Sequence, residues 1–273
     1  MSVFIASLNS GSNGNCYYIG NDTDAVLIDA GISCRETERR MKRLGLTMNR
    51  VKAIFISHEH SDHITGVCGI TKKYKLPVYI TNTTLRSSGL RVDKKFVQSF
   101  KTEQPIEVGS LSVTPFAKLH DAIDPHSFMV SYNQVNVGIF TDIGWPCKNV
   151  TGYFKKCHAA FLEANYCEEM LMNGRYPVFL KKRISSEQGH LSNMQALELF
   201  LSHKGKQLSH LILSHLSKNN NRPELVERIF SEQAGNTKIV VASRYVETPV
   251  FNINLSARHQ HTIRQKPVQL SIF

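Results

Sequence analysis

His58-Glu59-His60-Ser61-Asp62-His63 places four metal-ligating side chains within six positions. The run follows an apolar stretch, residues 53–57, that reads as a strand, so the first two histidines stand at a strand end. Two apart in extended backbone, their imidazoles leave the same side and can meet on one ion. Asp62 and His63 fall where the chain turns into a helix, and there adjacent side chains diverge enough to approach a second ion. Neutral imidazole is the common transition-metal ligand, and a carboxylate offsets the charge of two divalent ions about 3.5–4 Å apart. A solitary histidine is usually a satisfied polar residue; this density of ligands at one strand end points to metal.

Upstream, β-like runs at 3–8, 16–20 and 25–29 are separated by Ser10-Gly11-Ser12-Asn13-Gly14-Asn15 and by residues 21–24, which implies two hairpins. Ser33 and Glu36 have capping-box spacing and Gly45 is a stop, predicting a helix over 33–44 with Arg35, Arg39, Arg40, Lys42 and Arg43 on its exposed face. Downstream come a helix, a strand at 78–81, and β-patterned runs at 111–119, 128–132 and 136–141, the last two joined by an Asn133-Gln134 turn. A strand at 159–163, helices at 192–201 and 223–233, and strands at 211–214 and 239–242 complete the pattern. Strands followed by helix–strand alternation, twice over, predict an α/β protein: two mixed sheets packed together with helices on the outer faces.

Lysine plus arginine number 33 against 22 acidic residues, a formal net charge of +11, which favours a polyanionic partner such as nucleic acid. Solvated lysines explain the same charge without any partner. Six cysteines without a C-x-x-C pair are expected to be free thiols and not ligands. No stretch approaches the roughly 18 apolar residues of a membrane span, and Met1-Ser2-Val3-Phe4-Ile5 lacks a signal-peptide pattern, so a soluble cytoplasmic protein is expected. Residues 1–255 read as one hydrolase domain and 256–273 as a basic C-terminal tail.

H-x-H-x-D-H resembles the hallmark of the metallo-β-lactamase superfamily, and the resemblance extends over residues 1–245. Val26-Leu27-Ile28-Asp29-Ala30-Gly31 resembles its first motif, whose aspartate is structural. Lys118-Leu119-His120-Asp121, Phe140-Thr141-Asp142-Ile143-Gly144 and Leu213-Ser214-His215-Leu216-Ser217 resemble the later motifs. The resemblance implies a four-layer αββα sandwich and two divalent ions, zinc or manganese, with iron able to occupy the same set. It implies that His58, His60 and His120 hold the first ion, that Asp62, His63 and His215 hold the second, and that Asp142 bridges them. His126, His158, His190 and His210 compete for those roles. His158 and His210 suit packing or surface positions, and His190 is better placed for substrate.

Four segments together resemble the YycJ/WalJ-like subgroup: 7–15, Leu162-Glu163-Ala164-Asn165, Gly189-His190-Leu191-Ser192-Asn193 and His215-Leu216-Ser217-Lys218-Asn219-Asn220-Asn221. That likeness implies a 5′ to 3′ DNA exonuclease of repair or replication, in which a metal-bridging hydroxide attacks the phosphodiester. Asp62 would orient the attack, and His190 would protonate the leaving oxygen or hold a phosphate. Candidate substrate contacts are Ser10, Asn13, Asn15, Asn193, Lys218 and Asn219. Backbone N–H groups of the 10–15 loop could meet phosphate, and the runs Arg39-Arg40, Lys72-Lys73 and Lys181-Lys182-Arg183 could track a backbone. Gln269-Leu270-Ser271-Ile272-Phe273 resembles a bacterial sliding-clamp docking peptide, with Gln269, Leu270, Ile272 and Phe273 as contacts. The same metals would serve a small-molecule hydrolase, such as a cyclic phosphodiesterase, thioesterase or lactonase; a lid would favour that reading and an open basic groove would favour DNA.

Overall fold

The structure, a computed structural model, describes residues 2–255. The tail and the clamp-peptide expectation at 269–273 lie outside the described residues. Six strands of the first half are β1 (Val3–Asn9), β2 (Cys16–Gly20), β3 (Ala25–Ile28), β4 (Val51–Phe55), β5 (Val78–Tyr79) and β6 (Val97–Gln98). The second half supplies β7 (Ile106–Val108), β8 (Leu111–Ala117), β9 (His126–Tyr132), β10 (Val135–Phe140), β11 (Ala159–Glu163), β12 (His210–Ser214) and β13 (Lys238–Val241), and β14 (Phe251–Ile253) returns to the first. The sheet orders are β14-β1-β2-β3-β4-β5-β6 and β13-β12-β11-β10-β9-β8-β7. Each is mixed: β1–β3 and β7–β10 pair antiparallel, whereas β3–β6 and β10–β13 pair parallel.

The described residues hold nine α-helices, α1 (Cys34–Arg43), α2 (Ser61–Ile64), α3 (Val67–Tyr74), α4 (Asn82–Ser88), α5 (Lys148–Phe154), α6 (Glu168–Asn173), α7 (Val178–Ile184), α8 (Asn193–His203) and α9 (Pro223–Ser231), with short 3-10 turns at Met48–Arg50 and Lys94–Phe96. Strand alternation explains how they layer. On β2, Tyr17 and Ile19 join Val26 and Ile28 of β3 in a core between the sheets, where Ala159 and Phe161 of β11 meet them. The intervening Cys16, Tyr18, Ala25 and Leu27 face outward, yet they pack on Met41 of α1 and Ile70 of α3. On the far side Ala160, Leu162, Leu211 and Leu213 pack on Phe154, Phe200 and Phe230 of α5, α8 and α9. Strands buried on both faces are why these segments are continuously apolar. Three cores between four layers give the expected αββα sandwich.

Local signals hold where side chains act on their own neighbourhood. Ser33 accepts from the Glu36 N–H and Gly45 (φ 68°) ends α1, and Ser192 and Gln195 form a reciprocal capping box on α8. Asn133 and Gln134 take φ values of 45° and 67° in the hairpin of β9 and β10. Arg40 departs from expectation: it is buried, its guanidinium donating to the Leu8 and Tyr245 carbonyls, because a fork of donors can satisfy two loops at once. The expected strand at 78–81 stops at Tyr79, since Thr81 caps α4 through the Thr84 N–H.

Candidate metal centre

The site lies where strands of both sheets end: Asp29 follows β3, His58 and His60 follow β4, Asp142 follows β10, Glu163 closes β11 and His215 follows β12. Asp29, Asp142 and His215 have φ of 58°, 56° and 57°, the left-handed region that non-glycine residues enter rarely and at a cost of order 1 kcal/mol. Each turn swings a side chain off its strand toward a common point. Close backbone approach brings the histidine loop to that point. The Asn15 N–H donates to the Asp62 carbonyl, and a Cβ on Gly31 would lie 1.7 Å from the same oxygen.

Ligand-type atoms gather there in overlapping sets, each with its atoms within 4.8 Å of one another. They are His58, His60 and His120; His58, His63 and Asp142; Asp62, His63 and His215; and Asp142, Glu163, His190 and His215. All seven residues named from the sequence as ligands are therefore brought together. Asp142 is shared between the two histidine groups: its Oδ2 is 3.2 Å from His63 Nε2, and its Oδ1 is 3.8 Å from His120 Nε2 and 3.4 Å from His215 Nδ1.

Partners behind the ring fix which nitrogen faces inward. Asp29 Oδ2 takes the His63 Nδ1 side at 2.7 Å, and Asp29 also accepts from the Ser57 N–H and hydroxyl. His120 Nδ1 is 3.0 Å from the Gly189 carbonyl, and His215 Nδ1 is 3.0 Å from Glu163 Oε1. His120 Nε2 and His215 Nε2 are left buried without a hydrogen bond, and Asp142 Oδ2, though 3.2 Å from His63 Nε2, lacks one of good geometry. Orphaned polar atoms are costly in a protein interior. Three of them converging, with only nitrogen and oxygen donors around, fit a divalent transition metal.

Protonation in the metal-free protein follows burial and charge. Burial pushes His58 well down, and burial also pushes His120 down to about 3 against the attraction of Asp142. Burial would lower His63 and His215 too, but Asp142 and the carboxylates of Asp29, Asp62 and Glu163 outweigh it: His63 is raised well and His215 reaches about 10. Asp62 and Asp142 are held well below the usual carboxylate range despite burial, by His63 and His215. Protons thus balance charge where a second ion would sit.

Asp62 and His190, the expected catalytic pair, both line a cavity of about 180 Å³ over this cluster. His190 Nδ1 is 2.8 Å from Glu163 Oε1, the oxygen that also meets His215. Glu163 was legible only as part of a motif. Fully buried, it accepts from the Ile143 and Leu191 N–H groups through Oε2, so one carboxylate ties three segments to its own strand. A glutamate ending an otherwise apolar strand was the signal available.

Three expected substrate contacts are corrected. Asn15 is buried, its amide against Asp62 and His63; Ser10 is buried, its hydroxyl accepting from the His215 N–H; Asn193 is buried in a reciprocal amide pair with Asn221. These hold the site's loops and have no free group for a substrate. Loop N–H groups at Ser10, Gly11, Gly14 and Asn15 are likewise spent internally, which leaves Ser12 to line the cavity. Asn13, Lys218 and Asn219 are exposed, Asn13 donating to the Arg244 carbonyl and Asn219 to the Tyr176 hydroxyl. His126, His158 and His210 are engaged away from the centre, with Thr102, the Asn136 N–H and Ser209. Of the basic runs, Lys181-Lys182-Arg183 reaches the cavity, whereas Arg39 pairs with Glu36 and Lys73 with Glu38.

The family model for the β-lactamase superfamily domain matches residues 24–215. The chain is 35% identical over 237 residues to an exodeoxyribonuclease YycJ of Bacillus anthracis, covering 85% of this chain and 89% of that one. It is 30% identical over 231 residues to an exodeoxyribonuclease WalJ of Streptococcus pneumoniae, covering 83% and 86%. Among solved structures it resembles the metallo-β-lactamase fold protein YhfI from Bacillus subtilis, with TM-score 0.70, 13% identity, and coverage of 92% and 100%.

Proposed function

The chain belongs to the metallo-β-lactamase superfamily as a YycJ/WalJ-like member, and from that premise we propose that it is a DNA exonuclease working 5′ to 3′ with two divalent ions. The coarser statement, a metal-dependent hydrolase of nuclease or phosphodiesterase type, stands on the family and its named relatives. The observation that carries the finer reading is the ligand cluster at the floor of a cavity of only about 180 Å³. Pockets that enclose whole small molecules usually run to about 300–1,000 Å³. This one suits a phosphoryl group whose remaining chain stays outside, with Arg183 at the cavity wall and exposed Lys182 beside it to meet neighbouring phosphates.

In this reading His58, His60 and His120 would hold one ion, Asp62, His63 and His215 would hold the other, and Asp142 would serve both. Zinc or manganese suits these donors, and iron could take their place. Such ions, when bound, acidify water and draw charge from phosphoryl oxygens. Asp62, at the cavity wall and steadied by the Asn15 amide, orients the attacking water. Glu163 fixes the His190 ring through Nδ1, so that His190 is positioned to pass a proton to the leaving oxygen. Gly189 sets the ring's position by holding His120 through its carbonyl.

A sliding clamp is a proposed partner, through Gln269, Leu270, Ile272 and Phe273, and a cytoplasmic setting goes with both proposals. Among the described residues no helix is long and apolar enough to cross a membrane. Deleting 269–273 should abolish clamp binding and leave turnover intact; unchanged clamp affinity would end that part. For the activity, zinc- or manganese-loaded protein is assayed on 5′-labelled single-stranded DNA, linear duplex and RNA. Mononucleotides released from the 5′ end of DNA are expected. Protein that cleaves no polymer but hydrolyses a cyclic phosphodiester, thioester or lactone would overturn the reading.

A further inference from the structure

Helix α7 forms one wall of the cavity with Leu180, Arg183 and Ile184, which share a helix face. Its flank is different. Phe179 is 73% exposed, among the most exposed large apolar side chains of the described residues, and Arg183 follows it at i+4, so the two share one ridge of the helix, of which Arg183 lines the cavity. Arg183 directs its guanidinium to Asp121, the neighbour of ligand-type His120. Lys181 donates to the Met172 carbonyl, which ties α7 to α6 and steadies the ridge.

We propose that the Phe179 ring is a stacking platform for an unpaired nucleobase next to the phosphodiester seated in the cavity, with Arg183 along the same ridge meeting the adjoining phosphate. This rests on the nuclease reading and specifies its substrate as a single-stranded end. The cavity is too small to take a base as well as a phosphoryl group, so the base must stay outside it, and the exposed aromatic ring that α7 carries beside its cavity-lining residues Leu180 and Arg183 is Phe179. Every base has a π-face that an aromatic ring can accept, and only unpaired bases offer it freely. Arg183 on that ridge and the exposed Lys182 beside it supply positive charge next to the ring, which favours a nucleic acid over an apolar partner.

The test uses metal-loaded full-length protein and a single-stranded phosphorothioate oligodeoxynucleotide carrying 2-aminopurine at successive positions. Wild-type protein and Phe179→Trp should bind it comparably and quench one position by stacking. Phe179→Leu, which keeps apolar bulk without an aromatic face, should bind about ten- to a hundredfold more weakly and lose that quench. The difference between wild type and Phe179→Leu should shrink when the quenched position is abasic. Equal binding by Phe179→Leu, or an undiminished difference on the abasic strand, overturns the platform. So does light scattering that shows a wild-type dimer made monomeric by Phe179→Leu, since α7 would then be a subunit contact. Wild-type cleavage of single strands with Phe179→Leu unaffected refutes the platform alone; failure of the wild type to bind or cleave any strand refutes the nuclease reading and this proposal with it.

Discussion

Glutamine in place of Glu163 removes a charge while nearly conserving volume, and the hydrogen bonds show what must fail. Oε2 accepts from the Ile143 and Leu191 N–H groups at 2.8 and 3.2 Å, and Oε1 meets His190 and His215 Nδ1 at 2.8 and 3.0 Å. An amide has one oxygen, so if it keeps the backbone pair its NH₂ opposes two ring nitrogens that were donors. Two charge-assisted bonds at roughly 1.5–3 kcal/mol each are then lost or rebuilt by turning the rings. Taking the lower figure for each gives a stability loss of about 3 kcal/mol, or roughly 6–12 °C in Tm for a chain of this size. Misorienting His215 should weaken metal binding about 10- to 100-fold, and misplacing His190 as well should lower turnover of DNA about a hundredfold or more. The pH response adds a sign. Burial would raise the Glu163 carboxyl, yet His190 and His215 hold it at about 2. Its contribution to stability is present above the unfolded value near 4.5 and is lost as pH falls toward 2. Calorimetric melting from pH 7 to pH 3 should therefore be steeper for wild type than for Glu163→Gln. A variant with wild-type turnover, metal affinity and acid response would refute the positioning role.

Two further outcomes follow from packing and charge. Gly31→Ala sets a Cβ against the Asp62 carbonyl and 2.5 Å from the Asn15 nitrogen, both backbone, so a loss above about 4 kcal/mol or no folded protein is expected in denaturant unfolding; Gly152→Ala, with open space in α5, should be neutral or gain up to about 1 kcal/mol. Metal uptake by the metal-free protein at pH 7.5 should release about two protons, from His63 and His215, because both are raised and metal displaces the proton; affinity should rise with pH toward about 10, and titration calorimetry that is independent of buffer ionisation heat would contradict this.

What the sequence disclosed and what it withheld divide along the range of the interactions. The histidine run, the Ser33 cap and the Asn133-Gln134 turn depend on residues a few positions apart, so pattern alone placed them. Strands with both faces buried were readable as apolar runs, whereas β6, β7 and β14 are two or three residues long and too short to show a period. Polar loop residues misled. Asn15, Asn193 and Ser10 looked available for substrate because nothing local reveals that Asp62, Asn221 and the His215 N–H lie 47, 28 and 205 positions away. Glu163 was hidden for the same reason, its partners being assembled only when β11 and β12 pair and the loop before α8 folds over them.

Whether the cluster holds two ions is read most directly by anomalous diffraction from crystals of zinc- or manganese-loaded protein. Two peaks about 3.5–4 Å apart are expected, one among His58, His60 and His120, the other among Asp62, His63 and His215, with Asp142 touching both. A single peak at full loading, or a second peak seated on Glu163 and His190 in place of Asp62 and His63, would contradict it.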